Sequence, residues 1–392
     1  MDNTTLSKKI LVSGYTYVDE STLKTFDHYP GVINFLVPKI WPLKGGKYIY
    51  RAPKKDDVLT TKAFFTHSKY PIIGGIMKGW MPVFPVVLMK QWPDVVFSAS
   101  ELNLLTTTYQ GIFSKLFGAK HIIFTWENIP YKDKFKGFKG AIQKLVIKIN
   151  LFLSDGFVCG SAKAEQMIQS LTDKPTAVIP LSGIDMEFFT RDNSKKSFRG
   201  VDYKDLVVFS FAGAIGYRKG VHLIIKAFEE LSKTKNNIRL IIAGSGDYDQ
   251  EINSMIERSG LGNLIVRVPW LDREPLKELY NASDIFLYPS IPYAGWEEQF
   301  GYSLAEAASM ELPVIATESG SISDIVLGGK TGILIKPDDI QALKGAMAKL
   351  ADDKEERMAM GKAGRHFISE NYSQKVVANK YYKFFNPTHN LR

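Results

Sequence analysis

An α/β fold of two Rossmann-like, doubly wound domains facing each other across a cleft is predicted by three observations. Short apolar runs end in Gly, Ser or Pro, helix-like segments lie between them, and one polar stretch divides the runs into two sets. Strands of a parallel sheet are covered by helices on both faces, so they read as continuous apolar runs rather than alternating ones. At 392 residues the chain is long enough for two domains with a core each.

The first set is KKILVSG, PDVVFSAS, HIIFTW, DGFVCGS and TAVIPL, and it defines a domain over residues 1–190. TRDNSKKSFRGVDYKD then reads as a surface linker, placed at 191–205. The second set, LVVFSFAG, IRLIIAG, LIVRV, DIFLYPS, LPVIAT and GILIKP, fills a domain over 206–372, and an amphipathic stretch over 373–392 ends the chain. The apolar run at 71–90 is broken by Lys78, three glycines and two internal prolines, which predicts buried helix and turns rather than a membrane span. Ligands of doubly wound sheets bind beyond the carboxyl ends of the strands, so the predicted site lies between the two domains.

Composition narrows the function classes. Hydrophobic content of 45% and charged content of 23% are those of a soluble globular protein. Cys159 is the only cysteine, so no intramolecular disulfide forms, and the polar start running straight into a strand shows no secretory h-region. Both point to the cytoplasm. Residues 1–190 hold 23 Lys and Arg against 15 Asp and Glu, so nearly all of the net charge of +9 lies in the first half and calls for an anionic surface partner there.

Two motifs in the second half carry chemistry. In LVVFSFAGAIGYRKGVHLIIKAFEEL a strand passes through a glycine turn into a helix. Gly213, Gly216 and Gly220 would let the backbone approach a diphosphate, with Lys219 supplying a point charge. In EEQFGYSLAE, Glu298 and Glu306 stand eight residues apart and bracket Phe300, Gly301, Tyr302 and Ser303 at the predicted start of a helix. Unpaired N–H groups and the helix dipole favour a phosphate there. Glu306 lies among small neighbours (Ala305, Ala307, Ala308), where a carboxylate needs a partner such as vicinal hydroxyls.

These residues resemble those of the family-4 retaining glycosyltransferases of GT-B fold, glycosyl transferases group 1, over about Phe209 to Leu350. PLSGIDMEFF, IIAGSGD and SGSISDIVLGGKTGILIKPDD follow the order of further motifs of that family. The resemblance implies that Glu298 contacts the donor sugar, Glu306 the donor ribose hydroxyls and Lys219 the diphosphate. The family's turn arginine falls on Ala214, and Arg218 is the substitute cation. It further implies a nucleoside diphosphate sugar as donor, a hydroxyl acceptor, no cofactor and no metal, and a last helix that crosses back to the first domain.

Many members of that family carry a histidine where this chain has Trp126, Glu127 and Asn128. Glu127 or Asn128 is the candidate to act on donor or acceptor in its place, the alternative being a strand-end cap. Glu101, in the loop after PDVVF, is a candidate to face the acceptor, and Gly14 marks the approach of the first loop to the ligand. From Phe135 to Leu153 an apolar set (Phe135, Phe138, Ala141, Ile142, Leu145, Val146, Ile149, Phe152, Leu153) recurs at helical spacing and is predicted to pack inward. Lys136, Lys139, Lys144 and Lys148 form the other face, with Lys132 and Lys134 just before. That basic patch is either a solvated face or one that rests on anionic lipid, bringing a lipid-linked acceptor.

Other chemistries are poorly supported. No H-E-x-x-H or cysteine pair suggests zinc, GGKT lacks the first glycine of a P-loop, and GSG at 244–246 is not a full dinucleotide fingerprint. The alternatives to a glycosyltransferase are a nucleotide-sugar epimerase of similar fold and a non-catalytic nucleotide-sugar or nucleic-acid binder. Nucleic acid is the weaker of these, because the lysines of 132–148 only partly give a basic stripe with aromatics.

Overall fold

A computed structural model of the chain describes residues 7–42, 49–66, 73–192, 194 and 196–387. The chain divides into two units, 1–183 with 374–392, and 184–373. The boundary thus falls earlier than the 190 expected. The expected linker at 191–205 instead carries a two-stranded hairpin, Ser197–Phe198 with Val201–Asp202, that belongs to the second unit.

The first unit is built on seven strands: β1 (Ile10–Ser13), β2 (Ile33–Pro38), β3 (Val58–Thr61), β4 (Val95–Ser98), β5 (Lys120–Thr125), β6 (Gly156–Cys159) and β7 (Thr176–Val178). Their order is β3-β2-β1-β4-β5-β6-β7, and all neighbours are parallel. Alternate residues of each strand point to opposite faces, and both faces are covered. Val12, Phe35, Phe97 and Phe124 meet Phe26, Tyr381 and Phe385 on one side. Tyr381 and Phe385 come from the Gln374–Phe385 helix, so the chain end completes this core. Leu11, Leu36 and Val96 meet the Phe84–Gln91 helix on the other side, and Ile123 and Phe157 pack with Ile147 of the Gly137–Leu153 helix. Of the apolar run at 71–90, residues 71 and 72 lie outside the described part, and Ile73–Ile76 and Phe84–Gln91 are helical.

The second unit has six parallel strands: β8 (Val207–Ala212), β9 (Ile238–Ala243), β10 (Ile265–Val268), β11 (Ile285–Tyr288), β12 (Val314–Thr317) and β13 (Gly332–Ile335), in the order β10-β9-β8-β11-β12-β13. Phe209, Phe211, Leu240, Ile242 and Leu287 pack against the Val221–Ser232 and Ile340–Asp352 helices. Burying a side chain of this size contributes roughly 1.5–3 kcal/mol. Strand order reverses between β1 and β4 in the first unit and between β8 and β11 in the second. Chains leaving the carboxyl ends of such a pair diverge and open a crevice. Gly14 and Ala99 follow the first pair, and Gly213 and Pro289 follow the second.

Candidate functional site

In the second unit the loops after β8 and β9 interlock before they reach the crevice. A Cβ on Gly244 would lie 1.8 Å from the Gly213 carbonyl oxygen, and one on Gly246 would lie 2.0 Å from that of Ile215. The GSG triplet therefore serves the close packing of two loops, a role that the sequence reading did not assign. Gly216 is less constrained, its nearest neighbour being the Asp247 carboxylate at 3.3 Å. Tyr217–Lys219 form one 3₁₀ turn, which Gly220 ends at φ +68. There a Cβ would fall 2.0 Å from the Pro289 carbonyl oxygen, so only glycine lets the turn press against the end of β11.

That contact delivers Lys219 to Glu298. The Lys219 ammonium donates to Glu298 Oε2 at 2.5 Å and to the Tyr288 hydroxyl at 2.8 Å. Tyr288 and Ser290, from the end of β11, donate to the same Oε2 at 2.9 and 3.0 Å. Both charged groups are buried, Lys219 being 8% exposed and Glu298 5%. Burial raises the Glu298 pKa, but the Lys219 charge and the hydrogen bonds from Lys219, Tyr288 and Ser290 outweigh it, and the carboxyl is held below the ordinary glutamate value. Burial, with the Glu298 charge, pushes the Tyr288 phenol well up, so it stays a neutral donor. The result is a fixed, ionised pair in a low-dielectric setting.

Neighbouring backbone fixes Glu298 as well. The Ser321 N–H donates to the Glu298 carbonyl at 2.9 Å, and a Cβ on Gly320 would lie 1.9 Å from that oxygen. The hydroxyls of Ser319 and Ser321 are buried and find no partner among the described residues. Two unsatisfied donors beside an ordered carboxylate suit a polar ligand. Sequence reasoning placed SGSISD only as a family loop and did not single these serines out.

Arg218 stands beside this pair. Its guanidinium lies 3.5 Å over the ring of Trp296, and its Nη1 is buried without a hydrogen-bond partner among the described residues. Trp296 also lies 5.3 Å from the Lys219 ammonium. A ring face that holds two cations orients both without neutralising them. Trp296 carried no signal in the sequence beyond its nearness to Glu298.

The Tyr302–Ser309 helix begins at Gly301, φ +90, with no side-chain cap. Phe300 is buried against Tyr302 and Tyr372 and anchors that start. Glu306 is half-buried one turn further on, where its Oε2 accepts from the Tyr280 hydroxyl at 3.3 Å. The same hydroxyl reaches the Ser303 carbonyl at 3.2 Å, so Tyr280 ties the acid to the first turn.

The candidate residues of the first unit close on one another. Gly14 lies at the crevice, where a Cβ would meet the Ala99 carbonyl oxygen at 2.5 Å. Glu101 accepts from the Thr125 hydroxyl at 2.7 Å and the Trp126 N–H at 3.0 Å, while burial raises its pKa. Glu127 is buried in an ion pair with Lys134 and also accepts from the Ile129 N–H at 3.3 Å. These are the contacts that a strand-end cap would make. Trp126 rests on Gly160, where any Cβ would enter its ring. A cluster absent from the sequence reading stands nearby: Lys78 lies 4.6 Å over the Tyr15 ring, which stacks on Trp41 at 4.2 Å.

The helix at Gly137–Leu153 turns differently from expectation. Gly140, Val146, Ile147 and Asn150 are its buried residues, whereas Phe138, Leu145, Ile149 and Phe152, expected to pack inward, are exposed. Asn150 decides the rotation, because its amide donates to the carbonyls of Leu102 and Leu104 at 2.6 and 3.1 Å.

Comparison with known proteins follows the same division. The family model described as glycosyl transferases group 1 matches residues 192–367. A capsular polysaccharide biosynthesis glycosyltransferase of Staphylococcus aureus is 26% identical over 261 residues, which are 65% of this chain and 67% of that protein. An uncharacterized glycosyltransferase of Methanocaldococcus jannaschii is 26% identical over 380 residues, covering 94% of this chain and 93% of its own. Some further relatives are matched over only about half of their length. Among solved structures, Anabaena HepE in complex with UDP and glucose superimposes with a TM-score of 0.70 at 17% identity, covering 95% of this chain and 98% of its own.

Proposed function

We propose that this chain, which is a group 1 glycosyltransferase of the GT-B fold, moves a sugar from a nucleoside diphosphate donor to a hydroxyl acceptor with retention of anomeric configuration. The bond from the anomeric carbon to the β-phosphate oxygen breaks, and a bond to the acceptor oxygen forms on the same face as the acceptor proton departs. Charge therefore develops on the departing diphosphate and, with opposite sign, on the sugar. The observation that carries this reading is the buried Lys219–Glu298 pair at the switch point of the second sheet.

Lys219 and Arg218 neutralise the diphosphate from fixed positions, and the N–H groups at Gly301–Ser303 add the positive end of a helix. Because those donors are already oriented, they stabilise the leaving group without reorganisation, and no divalent ion is needed. Glu298 is held ionised to accept from the hydroxyls of the sugar, with Ser319 and Ser321 beside it. Glu306, steadied by Tyr280, binds the ribose hydroxyls. UDP in the Anabaena neighbour supports a nucleoside diphosphate as the donor's leaving group. A polysaccharide-synthesising relative supports a glycan as acceptor, and the lysines of 132–148 support one carried on a lipid at the cytoplasmic face of a membrane.

A panel of labelled nucleotide sugars, incubated with the chain and with trapped products analysed, tests this. At least one donor should be hydrolysed slowly without acceptor, and EDTA should not abolish the reaction. Binding of nucleoside diphosphates without hydrolysis or transfer of any donor would make the chain a binder. Loss of activity in EDTA, restored by a divalent ion, would show that the charge is balanced by metal.

A further inference from the structure

We propose that the outer side of the helical layer on one face of the first sheet is a membrane-docking surface that inserts apolar side chains among anionic lipid headgroups. Phe138, Leu145, Ile149 and Phe152 recur at i, i+7, i+11 and i+14 of the Gly137–Leu153 helix, so they share one side of it. That side faces out: Phe138 is 84% exposed and Phe152 80%. Exposing two phenylalanines to this degree on one helix is unusual for a surface that meets only water.

The stripe does not stand alone. The Leu105–Leu116 helix packs beside it, Leu153 lying against Gly111, and exposes Ile112 and Leu116. Next along the same face of the sheet, Trp92 is exposed at the end of the Phe84–Gln91 helix, its ring edge against Phe117. Exposed apolar side chains therefore occur on three successive helices of one layer.

Charge selects the occupant. Lys144 and Lys148 flank the stripe on one side and Lys139 on the other, all exposed, and Lys136 stands just before the helix. The side chain of Lys132 lies outside the described residues. Between 132 and 148 six lysines face a single acid, Asp133. An outward apolar stripe bordered by lysines is the pattern of a helix lying in the interface plane, with rings at the acyl boundary and ammonium groups at the phosphates. A second copy of this chain would bring like charges together and is disfavoured. No helix among the described residues is long and apolar enough to cross a membrane, so the contact is peripheral.

This inference needs no donor chemistry, so its failure is separable from that of the proposed function. Sedimentation of the full chain with vesicles of neutral phosphatidylcholine, or of phosphatidylcholine with phosphatidylglycerol, reads it directly. The chain should pellet with the anionic vesicles and not with the neutral ones. Phe138→Ser/Phe152→Ser should reduce the partition coefficient at least tenfold with the melting temperature unchanged, because both rings are exposed. Each of Lys139→Glu, Lys144→Glu and Lys148→Glu should cost roughly fivefold or more, an effect erased by high salt. Donor hydrolysis in solution should be unaffected by any of them. Equal or negligible binding to both vesicle types, binding undiminished in the variants, or a dimer in analytical ultracentrifugation that Phe138→Ser dissociates would each overturn the proposal.

Discussion

At the reversal of strand order in the second sheet, and on the loops after β4 and β5 in the first, the chain does opposite things with its acids. After β8 and β11, Lys219, Tyr288 and Ser290 converge on one oxygen of Glu298, and two serine hydroxyls and a guanidinium nitrogen beside it find no partner among the described residues. After β4 and β5, Glu101 is closed by Thr125 and the Trp126 N–H, and Glu127 by Lys134 and the Ile129 N–H. The second unit holds ordered charge with donors to spare, which suits a ligand that is always the same kind of anion. The first unit satisfies Glu101 and Glu127 from within its own loops.

Removing the partner of each acid should separate the two regions most widely. Lys219→Ala strands a buried carboxylate and is expected to cost about 3–5 kcal/mol of stability. Lys134 is partly exposed and Glu127 keeps the Ile129 N–H, so Lys134→Ala should cost less, about 1–3 kcal/mol. Urea denaturation of both variants measures the difference, and equal losses would break the contrast.

Turnover should follow the same line. Glu298→Gln keeps the volume but weakens the hold on Lys219 and on the sugar, and is expected to lower kcat roughly 100-fold. Glu127→Gln should change it by no more than about threefold, since a cap tolerates an amide. Arg218→Ala is expected to reduce donor hydrolysis by about tenfold, a loss of one charge-assisted contact. Full activity in that variant would mean that Trp296 holds the guanidinium for packing alone.

The smallest effect concerns acid. Burial, partly opposed by Asp155, holds the His121 imidazole down at about 4, with Ser98 on its Nε2. As pH falls below about 6.5 the unfolded chain takes up this proton and the folded chain does not, so stability declines across the window from 6.5 to 4. His222 in the second unit is lowered by burial too, so each half contributes. Glu298, whose pKa is lowered, adds its own loss only as pH drops below the ordinary glutamate value. His121→Gln should therefore flatten the upper part of the acid limb without removing it. An unchanged slope of melting temperature against pH in that variant would contradict the assignment.

Much of the second unit was legible in the sequence because its function depends on local spacing. A glycine turn that carries Lys219 and an E-x7-E that carries Glu298 and Glu306 keep their meaning without knowledge of the packing. What stayed hidden depends on contacts between distant segments: Trp296 under Arg218, Ser319 and Ser321 beside Glu298, and Gly244 and Gly246 against the loop of Gly213 and Ile215. The Gly137–Leu153 helix shows the limit of periodicity. Its pattern revealed an apolar stripe but not which side of the helix would face the core. Gly140, whose Cβ would fall 2.6 Å from the backbone of Phe135, and Asn150, bound to two carbonyls, settle the rotation.

The central claim is that donor recognition resides in the second unit, on groups built for a nucleoside diphosphate. Isothermal titration calorimetry of UDP, GDP and ADP against the wild type, Glu306→Ala and Glu127→Gln tests it most directly. The wild type should bind at least one of the three. Glu306→Ala should lose about 1.5–3 kcal/mol of that affinity, roughly 10- to 150-fold in Kd, with Glu127→Gln unchanged. An affinity undiminished in a folded Glu306→Ala variant, or lost in Glu127→Gln, would place the nucleotide elsewhere and contradict the account.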